Sequence, residues 1–197
     1  VFWGEDRVKN RLSHGDLYRQ VAHFAAALQE AGVVAGDRVA AWMPNLPETI
    51  VAMLAAASIG AIFSSASPDF GVQGVVDRFG QIEPKVLVAV DGYYYNGKIV
   101  DCLDRLAAIT EGLPSLKRVV VVPYVHASHD ISHVHHARML AEFVKPFLAR
   151  TEIPFARLPF DQPLFIMFSS GTTGVPKCIV HGAGGALLQH LKEHRLH

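Results

Sequence analysis

Charge is scarce in this sequence. Asp, Glu, Lys and Arg supply 18% of its 197 residues, against about 25% in an ordinary soluble domain. The 18 basic and 18 acidic residues cancel, leaving no net charge with histidine neutral, so no global field recruits nucleic acid or an acidic membrane. Cysteine is scarcer. Cys102 and Cys178 form no C-x-x-C pair, which argues against a disulfide framework or a structural zinc site and makes a reducing, cytoplasmic setting the default. No basic stretch leading into an apolar run and a small-residue cleavage site stands at the start. The first residue is Val1 rather than Met, and the expectation is of a stretch cut from something longer. Long apolar runs are nearly absent too. Thr49 to Ser67 approaches the ~20 residues of a bilayer span, but it is rich in Ala and Ser, is broken by Gly60, and changes from helical to strand composition there. It reads as a buried helix, turn and strand.

What is present is apolar surface: 50% of the residues are hydrophobic, which excludes a disordered tail, a coiled coil or a collagen-like rod. At about 150 residues per domain, the length corresponds to roughly 1.3 domains, either one large core or a piece of a larger one. Ser13 with Asp16 resembles a capping box, and Leu17, Val21, Ala25 and Leu28 follow at helical spacing up to Gly32. Val39 to Met43 reads as a strand buried on both faces; Asn45 and Pro47 then supply a cap and an early proline for a second helix up to Gly60. A short strand at residues 61–65 comes next, then a helix capped by Asp69 and closed by Pro84, then the strand 85–90. Gly97 to Gly112 reads as a further helix with Ile99, Leu103, Leu106 and Ile109 on one side, leading through Pro114 into the strand 118–123. From Tyr124 to about Pro163 the pattern weakens into a histidine-rich loop, a short helix around Ala137 to Phe147, and several prolines. Order returns with a strand at Leu164 to Phe168, a short strand at 178–181 and a helix from about Gly185. Apolar strands alternating with helices predict an α/β fold with a layered, mainly parallel sheet flanked by helices.

The strongest chemical signal is Ser169-Ser170-Gly171-Thr172-Thr173-Gly174-Val175-Pro176-Lys177, directly after a hydrophobic strand. Its glycines permit a tight loop whose N–H groups converge on phosphate oxygens, while four hydroxyls and a lysine add donors and positive charge. It is not a Walker A loop: Pro176 stands where that motif has Gly, and Cys178 replaces the magnesium-holding Ser or Thr. The same composition would also suit a flexible Gly/Thr hairpin with a solvated lysine. Histidine offers a competing site. His126, His129, His133, His135 and His136 crowd one loop, but no Cys joins them and their spacing follows no zinc motif, so a polar surface loop is expected. His190-Leu191-Lys192-Glu193-His194 fits the H-x-x-E-H pattern of inverted zinc proteases, a five-residue match that recurs by chance.

Residues 169–177 resemble the phosphate loop of the acyl-adenylating enzymes, the superfamily of acyl-CoA synthetases, luciferases and peptide-synthetase adenylation domains. The flanking SPDFGVQGVVDRFGQIEPKVL, DGYYYNG and SSGTTGVPKCIVHGAGG look like the branch that activates acetoacetate, and the likeness runs from Phe2 to His197. The resemblance implies a partial N-terminal adenylating domain of the acyl-CoA synthetase fold over residues 1–197, without the small C-terminal domain. It also implies a two-step reaction: ATP and acetoacetate give an acyl-adenylate and pyrophosphate, then coenzyme A displaces AMP. Another short acid, or a nucleotide-binding remnant without chemistry, are the alternatives.

By the same resemblance, Gly171 and Gly174 through their backbone, and Ser169, Ser170, Thr172 and Thr173 through their hydroxyls, would hold the β- and γ-phosphates. Lys177 would neutralise the leaving pyrophosphate. Mg²⁺ would bridge those phosphates with its protein ligand outside this stretch, and Cys178 would pack rather than react. Related acetyl-CoA synthetases set two basic residues of a Gly-containing loop against coenzyme A; here that loop is Tyr93 to Lys98, with Tyr95 in place of one and Lys98 keeping the charge. The family's adenine, ribose and magnesium motifs, its hinge and its final lysine have no counterpart here, so these residues alone are expected not to complete the reaction and to expose apolar patches.

Overall fold

The computed structural model describes residues 1–5, 7–126, 130–169 and 174–196. The chain opens with an antiparallel hairpin, β1 (Phe2–Gly4) and β2 (Val8–Asn10), in which Trp3 faces Lys9. Helix α1 (His14–Glu30) follows with the predicted capping box: the Ser13 hydroxyl accepts from the Asp16 N–H while the Asp16 carboxylate accepts from the Ser13 N–H. Both bonds satisfy donors that a helix start leaves open. The Ser13 hydroxyl also donates to the Asp16 carboxylate at 2.6 Å, and this bond, ahead of the one from the Ser13 N–H, holds the Asp16 carboxyl below its usual range.

Three strand–helix units and a closing strand then build the centre of the sheet. Strand β3 (Arg38–Trp42) leads through α2 (Pro47–Ser58) to β4 (Ile62–Ala66), and α3 (Val72–Ile82) carries the chain to β5 (Val86–Val90). A hairpin, β6 (Gly92–Tyr95) with β7 (Lys98–Asp101), precedes α4 (Leu103–Glu111) and β8 (Arg118–Val122). After β8 come β9 (Ala137–Met139), α5 (Leu140–Val144), a 3-10 turn at Lys145–Phe147, β10 (Pro163–Ser169), β11 (Lys177–Gly182) and α6 (Ala183–Leu196). The main sheet has the order β11-β10-β4-β3-β5-β8-β9, parallel throughout except for the antiparallel β10–β11 pair. Every residue of β5 is buried, as are Val39 to Trp42 of β3 and Val119 to Val122 of β8, which requires cover on both faces. Helix α1 packs on α2 and α5, and α3 packs on α4. The crossover through α2 steps across the sheet in one direction and those through α3 and α4 in the other, so right-handed connections place the two helical groups on opposite faces.

The Ala-rich segment at Thr49 to Ser67 is split between α2 and β4. Gly60 makes the turn at φ +78°, where a Cβ would press on Ala35 and Leu158 at 3.0 and 3.1 Å. Among the described residues no helix is long and apolar enough to cross a membrane.

Four local expectations are corrected. Asn45 does not cap α2: Leu46 occupies the cap position without a side-chain bond, and the Thr49 hydroxyl instead donates to the Pro44 carbonyl at 2.9 Å. Asp69 does not cap α3, which starts at Gly71; its carboxylate accepts from the Ser67 hydroxyl. The helix expected from Gly97 begins only at Leu103, because Asn96 and Gly97, at φ +49° and +74°, close the β6–β7 turn and put Ile99 in a strand. The helix expected over Ala137 to Phe147 starts at Leu140, since Ala137 to Met139 pair with β8 as the sheet edge. At Asp69 a nearer partner takes the polar side chain; at Gly97 and Ala137 a turn or long-range constraint overrides helical spacing.

Asp91 ties this edge together. It follows β5, is fully buried, and accepts backbone N–H bonds from Gly92, Tyr124, Val125 and His126 at 2.8 to 3.3 Å. Its own carbonyl accepts from the Cys102 N–H at 2.8 Å. One carboxylate thus joins the end of β5, the start of the β6–β7 hairpin and the segment leaving β8. Truncating it would leave the buried Gly92 N–H and the half-buried Tyr124 and Val125 N–H groups without their acceptor, at about 1–3 kcal/mol for a fully buried donor and less for the others. Asp91→Ala is expected to lower stability by roughly 3 kcal/mol or more, read as the midpoint loss in urea unfolding; an unchanged midpoint would refute this role.

Candidate functional site

Because β3, β4, β5, β8 and β10 run the same way, their carboxyl ends share one edge of the sheet, where ligands bind in open α/β folds. The glycine- and hydroxyl-rich segment leaves the sheet at that edge. Ser169 ends β10 and Lys177 starts β11, and the two are direct partners in the antiparallel register. The edge of the sheet therefore brings one hydroxyl and one ammonium together across residues 170–176. Ser169 is half-buried and Lys177 exposed. Gly174 sits at φ +109°, a conformation that disfavours any side chain. Ser170, Gly171, Thr172 and Thr173 lie outside the described residues.

Three contacts position this segment from outside its own hairpin. The buried Ser64 hydroxyl donates to the Ile166 carbonyl at 2.7 Å, fixing β10 to β4. On the strand entering the loop, the Phe168 ring packs on Phe79 of α3 with centroids 6.5 Å apart. On the strand leaving it, the Gln81 side chain of α3 donates to the Pro176 carbonyl at 2.9 Å and accepts from the Cys178 thiol at 3.5 Å. Sequence reasoning found none of these, since each joins residues about a hundred positions apart. A large open cleft of about 590 Å³ lies beside β10 and β4, lined by Met53, Phe70, Arg78 and His190 among others. Beyond it, Met167, Val180, Leu187, Leu188 and Leu191 are exposed, and no described residue of α6 is buried. These are apolar surfaces of the kind expected from the sequence.

Tyr95 and Lys98 face each other across the β6–β7 turn. They lie in a separate two-stranded sheet that begins beyond the carboxyl end of β5, and β5 stands three strands from β10. Both are exposed. The turn between them is not an open anion cradle, because the Glu5 carboxylate accepts from the Asn96 and Gly97 N–H groups at 3.1 and 3.2 Å, and Arg7 donates to the Gly97 carbonyl at 3.2 Å. The β1–β2 hairpin thus clamps this turn, a partnership with no local signal in the sequence.

Among the described residues, two histidines of the loop have acidic partners on and before α4. His126 pairs with Asp101, which ends β7, at 2.7 Å, and His133 with Asp104, in the first turn of α4, at 3.8 Å; His129 lies outside the described residues. Glu193, in the H-x-x-E-H segment, accepts from Gln189 and lies 3.2 Å from Lys192. Among the described residues no group of three or more His, Cys, Asp or Glu side chains could hold a metal ion.

The two cysteines differ sharply. Cys102 is buried, which pushes its thiol up to about 11 against a smaller opposing pull from Arg105. Cys178, expected to pack, is exposed beside the candidate loop. A thiol reagent at neutral pH is therefore expected to modify one cysteine in the native chain and two after unfolding. Rapid native modification of both would contradict the burial of Cys102.

A family profile described as "AMP-binding enzyme" matches residues 2–195. Curated relatives include the acetoacetyl-coenzyme A synthetase of Rhizobium meliloti, 54% identical over 100% of this chain and 30% of its own length. The acetoacetyl-CoA synthetase of Macaca fascicularis is 51% identical over 95% of this chain and 28% of its own. A solved acetoacetyl-CoA synthetase from Streptomyces lividans superposes with a TM-score of 0.82 at 42% identity, covering 90% of this chain and 26% of that one. The chain thus spans about 30% of the length of the relatives it matches.

Proposed function

Because this chain belongs to the AMP-binding enzyme family, we propose that it forms part of the adenylating domain of an AMP-forming acid–thiol ligase that converts acetoacetate to acetoacetyl-CoA. The observation that carries this reading is the segment 169–177 at the carboxyl edge of a parallel sheet, with Ser169 and Lys177 opposed in register. The choice of acid is supported by relatives named for acetoacetyl-CoA.

In the first step the carboxylate of acetoacetate attacks the α-phosphorus of ATP. The P–O bond to pyrophosphate breaks and charge accumulates on the departing oxygens. Donors already fixed at that position stabilise the transition state more than the ground state. The Ser169 hydroxyl and the Lys177 ammonium are the described groups assigned to the β- and γ-phosphates. The Gly174 backbone and residues Ser170, Gly171, Thr172 and Thr173 complete the assigned set. In the second step the thiol of coenzyme A attacks the acyl carbon and AMP leaves. Lys98 is assigned to a coenzyme A phosphate and Tyr95 to the same ligand. With the turn amides engaged by Glu5, that contact rests on the Lys98 ammonium rather than on backbone N–H groups. Mg²⁺, which the family implies, finds no ligand set among the described side chains, and no step here runs through it. A cytoplasmic location is part of the same proposal.

Lys177→Ala in the full-length parent protein should slow acetoacetate-dependent ATP–pyrophosphate exchange by about 10²-fold or more, with an unchanged circular dichroism spectrum. Wild-type turnover in that variant would refute the phosphate-binding role, and a clear preference for acetate over acetoacetate would replace the acid.

A further inference from the structure

Gln81 holds an exposed position on the last turn of α3, where a long polar side chain would ordinarily be solvated. Its amide is instead committed. The nitrogen donates to the Asp77 carbonyl one helical turn back at 2.6 Å and to the Pro176 carbonyl at 2.9 Å, and the oxygen accepts from the Cys178 thiol at 3.5 Å. Both N–H donors are spent on backbone carbonyls, so the orientation of the amide is determined: an acceptor in that place would face two carbonyl oxygens. The two partners outside α3, Pro176 and Cys178, bracket Lys177 on either side.

We propose that Gln81 is a positioning residue for Lys177, fixing the strand that leaves the candidate phosphate loop so that the ammonium stands where charge builds on the departing pyrophosphate. The inference rests on the phosphate-binding reading given above. Its physical basis is an asymmetry between the two sides of the hairpin. Strand β10 is held by β4, by the Ser64 bond to Ile166 and by the Phe79–Phe168 contact. Strand β11 pairs only with β10 in the described sheet and is exposed at Lys177 to His181. The Gln81 amide attaches the exposed strand to the helix that already holds the buried one. Phe79 and Gln81, two residues apart, thereby make α3 the common support of both flanks. Small misplacement of a charged group in a transition state is costly, on the order of 10²-fold per ångström, so a tether on the residues beside Lys177 acts on rate rather than on stability.

The test uses the full-length parent protein and acetoacetate-dependent ATP–pyrophosphate exchange, with Gln81→Met, Gln81→Glu, Lys177→Ala and the two double variants. Gln81→Met keeps the length and removes the bonds; it should lower kcat about tenfold, the effect of one hydrogen bond, with little change in melting temperature. Gln81→Glu should be worse than Gln81→Met, because its carboxylate faces the Pro176 and Asp77 carbonyls. In the Lys177→Ala background both substitutions should change the rate less than twofold, since the group they position is gone. A merely structural role would add the same penalty in either background, and that outcome would overturn the proposal. Wild-type rates for both single variants beside an impaired Lys177→Ala would overturn it while leaving the phosphate-binding reading intact. An unimpaired Lys177→Ala would overturn both.

Discussion

Six strands running in one direction impose the order on which everything else in this molecule depends. Parallel strands cannot be joined by tight turns, so each connection must climb over a face of the sheet, and the helices that do so bury all of β5 and all but the first residue of β3 and of β8. The same arrangement sends all the carboxyl ends to one edge. The candidate phosphate segment after β10 and the Tyr95–Lys98 turn after β5 therefore lie beyond one edge although 70 or more positions separate them in sequence. Low charge is the compositional side of the same constraint, because a strand covered on both faces has no position for a solvated side chain.

This constraint also explains what could be read from the sequence. The runs at residues 39–43, 85–90 and 118–122 carry their burial in their composition, and the capping box at Ser13 and Asp16 is a local device with a local signature. Both survive into the structure. Elements that depart from their helical spacing are decided by a turn or by a partner elsewhere. Ile99 has helical spacing with Leu103, yet the positive φ angles of Asn96 and Gly97 close a turn that commits it to a strand. Ala137 to Met139 become strand only because the edge of β8 is available to them. At the site, the glycines, hydroxyls and lysine announce themselves by type and spacing. Gln81, Glu5 and Asp91 do not, since a glutamine on a helix, a glutamate in a turn and an aspartate before a glycine are unremarkable until the fold shows what they bond.

Two polar side chains hold this edge by opposite means. Asp91 is buried, its carboxylate surrounded by backbone donors, and its removal would be felt as lost stability. Gln81 is exposed and its bonds compete with water, so its contribution to stability is small and its value lies in direction. The first fixes where the hairpin and the strand ends stand; the second fixes a strand at the margin of the sheet. The stronger tie thus lies under the frame of the sheet and the weaker one beside Lys177.

The antiparallel register of β10 and β11 has a further consequence for how the loop can change length. Side chains alternate between the two faces of a strand, so sliding β11 by one residue against β10 sends every one of its side chains to the opposite face. Opposed to Ser169, Lys177 has a face determined by that alignment. Losing or gaining a single residue within 170–176 could be absorbed by such a slide at little cost in backbone pairing, and would turn the lysine away from its neighbours. The number of residues between the two strands is thus under a parity rule as strict as the identity of the lysine itself.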